Sequence, residues 1–205
     1  MSAVVITPAY THCHHGLEEA VRGAGLPYLR AFGHSDLPRV RSMLLEKALA
    51  TEAERVILVD ADTIPVPGVL EALATGLGVT PERAVWGLYP LRDGDKWSVN
   101  PSDHDEGRAG IAEGRPFPII TGGLGLCAIH RESLVRLAAS LPAITDDRGG
   151  YVWHPFCVPF LRGNRYYADD ASLCARLRES GTELWCEPTL RAGHAITTIL
   201  RGIHG

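Results

Sequence analysis

Residues 56–68 read VILVDADTIPVPG. An apolar run suited to a buried strand ends in two carboxylates one residue apart and then in a proline-marked turn. In an extended backbone, side chains two apart point the same way, so Asp60 and Asp62 are expected to aim at one point while Ala61 turns into the packing. Two parallel carboxylates repel unless a cation or shared proton joins them. A hard divalent ion satisfies both and takes phosphate oxygens into its remaining positions. A solvated acidic turn that merely ends a strand has the same letters, so the motif alone does not decide.

The surroundings of that stretch set the expected fold. Residues 3–7 (AVVIT) form an apolar, β-rich run that stops at Pro8, and residues 14–22 have helical character up to a Gly-Ala-Gly break. Residues 28–32 read as a second strand. Ser35 or Asp36 can cap a helix in which Leu37, Val40, Leu44, Leu45 and Ala48 recur at three- and four-residue spacing. Residues 55–59 are the third strand, 67–74 a third helix with proline near its first turn, and 84–89 a fourth strand. Alternation of this kind implies right-handed crossovers and a mostly parallel central sheet flanked by helices, an α/β fold. Ligands bind such sheets beyond the carboxyl ends of the strands, where Asp60 and Asp62 stand.

Composition removes several classes of function. With 205 residues, 45% apolar and 21% charged, the chain is ordinary globular protein and is expected to form one domain over residues 1–205. A formal charge of −4 and only two lysines, Lys47 and Lys96, give no general attraction for nucleic acid. An arginine-lined local groove stays open. The opening MSAVVITPAY lacks a basic leader and its apolar run is too short for a signal or a membrane span, so a cytoplasmic protein is expected. Five scattered cysteines without a C-x-x-C pair read as reduced and buried. His12-Cys13-His14-His15 looks metal-binding, but such neighbours cannot all converge on one ion, and it reads instead as the loop after the first strand.

The second half is less regular. Residues 91–117 are long and rich in Gly, Pro and charge, which suggests a functional loop, read as a lid. Thr121-Gly-Gly-Leu-Gly125 leads into a strand at 126–129 and a helix at about 132–139. Residues 149–167 hold many aromatics, suited either to gripping a sugar or base or to roofing the core. Asp169 and Asp170 precede a helical stretch that Gly181 can end, and 183–186 reads as a strand.

An ordered set of motifs resembles the GT-A glycosyltransferases, in particular their small family-2-like branch from bacteria and phages. The set is VVITPAY, the Arg41-Ser42 helix, VILVDADTIP, VWGLYPLR, TGGLGLCAIHRE, YYADDASLCARLRESGTELWCEP and a closing AGHA. The resemblance covers most of the chain and implies a Rossmann-like GT-A domain. Its nucleotide-binding half would be residues 1–90 and its acceptor half 91–205. It implies a nucleotide-diphosphate sugar donor, UDP by family habit, and a divalent cation, Mn²⁺ or Mg²⁺, held by Asp60, Asp62 and His194, with Asp62 the more direct ligand and Asp60 nearer the ribose. A mixed carboxylate and imidazole set favours Mn²⁺. Thr7, Pro8 and Tyr10 would lie by the base, Asp60 and Ala61 by the donor, and Arg41 by base or diphosphate unless it is an ordinary exposed helix residue. Gly122 and Gly123 would let backbone approach the donor sugar, or sit in a turn needing positive φ. Asp170 would be the general base of an inverting transfer, and Asp169 stands where a glutamate is usual.

A rival reading takes Asp60 as the nucleophile and Asp62 as the acid of a haloacid-dehalogenase-type, Mg²⁺-dependent phosphatase. It needs a placed lysine, and Lys96 is the only candidate. A non-catalytic sugar-nucleotide-binding module is a further alternative. The acceptor, whether glycan, protein or a hydroxylated DNA base, would be chosen by 91–117 and 143–167, where Arg108, Arg115, Arg148, Arg162 and Arg165 could line a phosphate track.

Overall fold

Alternate residues of the two central apolar runs face opposite helical layers. The computed structural model describes residues 3–33, 35–91, 96–145 and 150–195. Strands β1 (Ala3–Pro8) and β3 (Arg55–Val59) pair in parallel, as do β1 and β2 (Tyr28–Ala31). Val4, Ile6, Val56 and Leu58 pack under helix α2 (Leu37–Leu49), while Ala3, Val5, Ile57 and Val59 pack under α1 (His15–Gly23) and α3 (Val69–Ala74). This period of two is why both strands read as continuous apolar runs. Asp36 caps α2, its carboxylate accepting from the Arg39 amide at 3.3 Å.

Further along come β4 (Thr63–Pro65), β5 (Arg83–Leu88), β6 (Val99–Pro101), α4 (His104–Glu113), β7 (Phe117–Gly122), β8 (Leu126–His130) and α5 (Arg131–Ala139). They are followed by β9 (Ile144–Thr145), β10 (Val152–Trp153), β11 (Phe160–Arg162), β12 (Arg165–Tyr167), α6 (Asp169–Glu179) and β13 (Glu183–His194). The main sheet runs β2-β1-β3-β8-β5-β13-β7-β6, with β4 on β13. Strands β9 with β10 and β11 with β12 form separate hairpins.

The sheet is mixed, which corrects the mostly parallel arrangement expected from the first half. Strand β8 inserts antiparallel between β3 and β5, and β7 lies antiparallel to β13. Strand β5 keeps the sense of β3 but is not its neighbour, because an apolar strand from the second half fills the place between them. Segment 91–117 is also corrected. It is not loop throughout, since it holds β6, which pairs with β7, and the ten-residue α4, whose Asp103 cap accepts from the amides of Asp105 and Glu106 at 2.9 Å. Gly107 and Gly110 permit this: a Cβ there would lie 2.6 Å from Pro101 and 2.5 Å from the Phe117 ring, respectively. Residues 92–95 of that segment, and Arg148 with its neighbours 146–149, lie outside the described residues.

The expected helix at 67–74 starts at Val69, after Gly68 in left-handed backbone at φ 87°. The strand expected at 183–186 extends to His194, with a register shift between Cys186 and Arg191. All five cysteines are free and buried. No described helix is long and apolar enough to cross a membrane.

Candidate functional site

Four strands of the same sense, β1, β3, β5 and β13, end at one edge of the sheet. Pro8, Asp60, Tyr89 and His194 stand at those ends and line a cleft of about 720 Å³ together with Tyr10, Arg41 and Asp62. This is the edge at which open α/β sheets bind ligands. Tyr10 is 68% exposed in the cleft wall.

The D-x-D carboxylates do not aim at one point. Strand β3 stops at Val59, and residues 60–62 form a turn closed by the Thr63 amide donating to the Asp60 carbonyl at 3.0 Å, so strand alternation no longer applies. Ala61 lines the cleft and is only half-buried. Its carbonyl accepts from the His14 amide at 2.7 Å, which ties the turn to the His12-Cys13-His14-His15 loop. In that loop, His14 caps α1 through Nδ1 at 3.1 Å from the Gly16 amide, His15 pairs with Glu19, and His12 and His14 line the cleft.

Asp60 turns to Arg41, whose Nη2 donates to its Oδ1 at 2.6 Å, while Arg41 Nη1 pairs with Asp169. Arg41 is therefore no exposed helix residue: its side chain is 7% exposed. Burial opposes the charge, but Asp60 and Asp169 outweigh it and hold the guanidinium protonated above its ordinary range. Asp62 turns the other way, with Oδ2 3.1 Å from His194 Nε2. His194 Nδ1 lies 3.2 Å from the Pro90 carbonyl, and its ring meets Tyr89 edge-on at 5.9 Å. Both imidazole nitrogens thus face oxygen acceptors. The Pro90 carbonyl can only accept, which leaves Nε2 as the nitrogen turned to the Asp62 carboxylate.

The donor set fits a divalent ion in part. Bonds of about 2.1 Å place neighbouring ligands about 3 Å apart, which Asp62 and His194 match. No cluster of three His, Cys, Asp or Glu side chains able to hold a metal occurs among the described residues. Asp60, committed to Arg41, stands apart from the pair.

Asp170 opens α6 and accepts from the Ala171 amide at 2.7 Å. Burial and the neighbouring Asp169 charge raise its pKa against that hydrogen bond and the Arg41 charge. It does not line the cleft, and Asp169 reaches the cleft only through Arg41. Thr7 is fully buried behind the wall. Gly122 and Gly123 also lie outside the lining, and neither has positive φ. A Cβ at Gly122 would sit 2.3 Å from Trp86 Cδ1, and one at Gly123 2.3 Å from the Tyr89 hydroxyl, so packing accounts for both. Tyr89 was not among the residues expected in the site. It ends a recognisable strand, and its buried hydroxyl, pushed up by burial and the Asp60 charge, accepts from the Gly125 amide at 3.0 Å. Lys96, the lysine the phosphatase reading requires, does not line the cleft.

These features define a mixed α/β fold of Rossmann-like type with a polar cleft at its strand ends. No family model matches the chain, and no curated protein matches it by sequence. Solved structures share the fold. The protein A197 from STIV superposes with a TM-score of 0.66 at 16% identity, over 96% of this chain and 86% of that one. GalNAc-T7, a glycosyltransferase solved with UDP, GalNAc and Mn²⁺, superposes with a TM-score of 0.57 at 14% identity, over 94% of this chain. The match spans 43% of the GalNAc-T7 chain, and at these identities the likeness is one of fold.

Proposed function

We propose that this chain is a metal-dependent glycosyltransferase of GT-A type. It moves a sugar from a nucleotide-diphosphate sugar, UDP foremost, to an acceptor hydroxyl with inversion. One observation carries the reading: Asp62 and His194 face each other at 3.1 Å, at metal-ligand spacing, in the cleft at the strand ends. The fold shared with a structure holding UDP, GalNAc and Mn²⁺ supports it.

Asp62 and His194 would hold the ion, which when bound supplies Lewis-acid neutralisation of the departing diphosphate. The imidazole nitrogen favours Mn²⁺ over Mg²⁺. Pro8 and Tyr10 flank the base, and Ala61 offers backbone to the donor. Arg41 locks Asp60 and Asp169 in place on the diphosphate side of the cleft. The acceptor oxygen attacks the anomeric carbon, the bond from that carbon to the diphosphate oxygen breaks, and the hydroxyl proton passes to Asp170. A carboxylate whose proton affinity is raised by burial suits that task. Residues 1–90 form the donor half and 91–205 the acceptor half of one domain.

The test is a panel of nucleotide sugars with Mn²⁺, scored for released nucleotide with and without glycan, protein and modified-DNA acceptors. Metal-dependent release from one donor, stimulated by an acceptor, is expected. Release from none, or phosphate release from simple phosphomonoesters instead, rejects the reading.

A further inference from the structure

A second cleft, of about 500 Å³, lies along α6 and shares no lining residue with the donor cleft. Its wall is built from three elements. Ala171, Ala175 and Arg178 recur at four and three residues along one face of α6, the β11–β12 hairpin supplies Asn164 to Tyr167, and β7 supplies Ile120 and Thr121. The hairpin is a defined platform: it turns through Gly163 at φ 57°, and Phe160 stacks on Tyr167 with centroids 4.7 Å apart.

Two properties of this wall are unusual together. Tyr166 is 67% exposed and Ile120 45% exposed, so an aromatic ring and an aliphatic side chain face solvent side by side. Arg165 and Arg178 are exposed and make no ion pair among the described residues, and no carboxylate lines the cleft. Glu179, beside Arg178 in the chain, is taken by Arg162. Two exposed guanidinium groups in a wall without carboxylates, beside an exposed ring, suit a ligand with one anionic group and one apolar face. The volume is that of a small-ligand site, about 300–1,000 Å³.

We propose that this cleft is the acceptor site and that it selects an acidic saccharide. A carboxylate or phosphate on the sugar would pair with Arg165 and Arg178, and a pyranose face would lie on Tyr166. The inference rests on the glycosyltransferase reading and deepens it. The link to the donor side is short in the chain: Asp169 contacts Arg41, which lines the donor cleft, Ala171 lines the second cleft, and Asp170 is the residue between them in sequence. A nucleic-acid track is disfavoured, because such binding scales with the number of phosphates neutralised. Only two guanidinium groups converge here, on a chain of net charge −4.

The experiment measures binding to the full chain by calorimetry without donor. The probes are a uronate-terminated tetrasaccharide, its phosphorylated counterpart, its carboxyl-reduced neutral counterpart and a DNA duplex. Wild type is expected to bind one of the acidic sugars at least about 10-fold more tightly than the neutral one. R165Q/R178Q should remove that preference and Y166A should weaken both sugars, with the melting temperature of the chain unchanged. The two acidic probes tell carboxylate from phosphate. Equal affinity for acidic and neutral sugars, unchanged binding in R165Q/R178Q, or tight binding of the duplex alone overturns the proposal. Failure of donor hydrolysis in wild type, with acidic-sugar binding intact, overturns the transferase reading and leaves the binding site standing.

Discussion

Asp62 Oδ2 and His194 Nε2, which belong to residues 132 apart in sequence, lie 3.1 Å from each other because β13 runs past its expected end and pairs His194 with Thr63. The contact joins the D-x-D turn to the last strand of the sheet. His194→Ala and Asp62→Asn should each lower metal-dependent donor turnover by roughly 100-fold or more, as removal of charge stabilisation from a leaving group does. Titration of Mn²⁺ in the presence of UDP should show the same loss. Wild-type metal affinity in His194→Ala would remove that residue from the site.

The bridge from Arg41 to Asp60 and Asp169 is largely shielded from water, so breaking it leaves two carboxylates uncompensated. Arg41→Met should cost about 3–5 kcal/mol. At roughly 2–4 °C per kcal/mol for a chain of this size, the melting temperature should fall by roughly 10 °C. Arg41→Lys should recover only part of this, because an ammonium lacks the planar fork that reaches both partners. An unchanged melting temperature in Arg41→Met would show that the bridge is not structural.

Asp170 carries opposite signs for stability and activity. Its folded pKa is raised above the unfolded value, chiefly by burial, so ionising it costs stability. Its stabilising contribution is complete below the unfolded pKa and is lost as pH rises through the folded one. Asp170→Asn should therefore melt higher than wild type at pH 7, with the gap closing towards about pH 3. Transfer to acceptor should drop by about 10²–10⁴-fold while donor binding is retained. Near-normal transfer would take Asp170 out of the proton-accepting role.

Gly123 and Tyr89 should be coupled. A Cβ at position 123 would lie 2.3 Å from the Tyr89 hydroxyl but 3.4 Å from Cζ, so the oxygen is the obstacle. Gly123→Ala should destabilise by about 1–3 kcal/mol. Adding Tyr89→Phe should return part of that, despite the lost hydrogen bond to the Gly125 amide. A double-mutant cycle in denaturant measures the coupling. Strict additivity would mean the loop shifts aside.

Much of the first half was legible because its signals are local. The apolar runs of β1 and β3, the Asp36 cap and the three- and four-residue spacing in α2 place those elements within a residue or two of their observed bounds. The end of α6 was legible too, since Gly181 at φ 85° follows its last turn. Helix α4 was hidden because Gly107 and Gly110 lower helix propensity. Their value appears only where α4 crosses Pro101 and Phe117.

By itself the sequence determined most of the strands and helices of the first half, together with β8, α5 and α6, since these are written in patterns a few residues long. Only the tertiary structure decided that β8 enters between β3 and β5, that Asp60 goes to Arg41 while Asp62 goes to His194, and that Tyr89 completes the cleft. Strand order and carboxylate partners depend on contacts between residues far apart in the chain. Such contacts are settled by which faces can be buried together, and no short stretch of sequence records that.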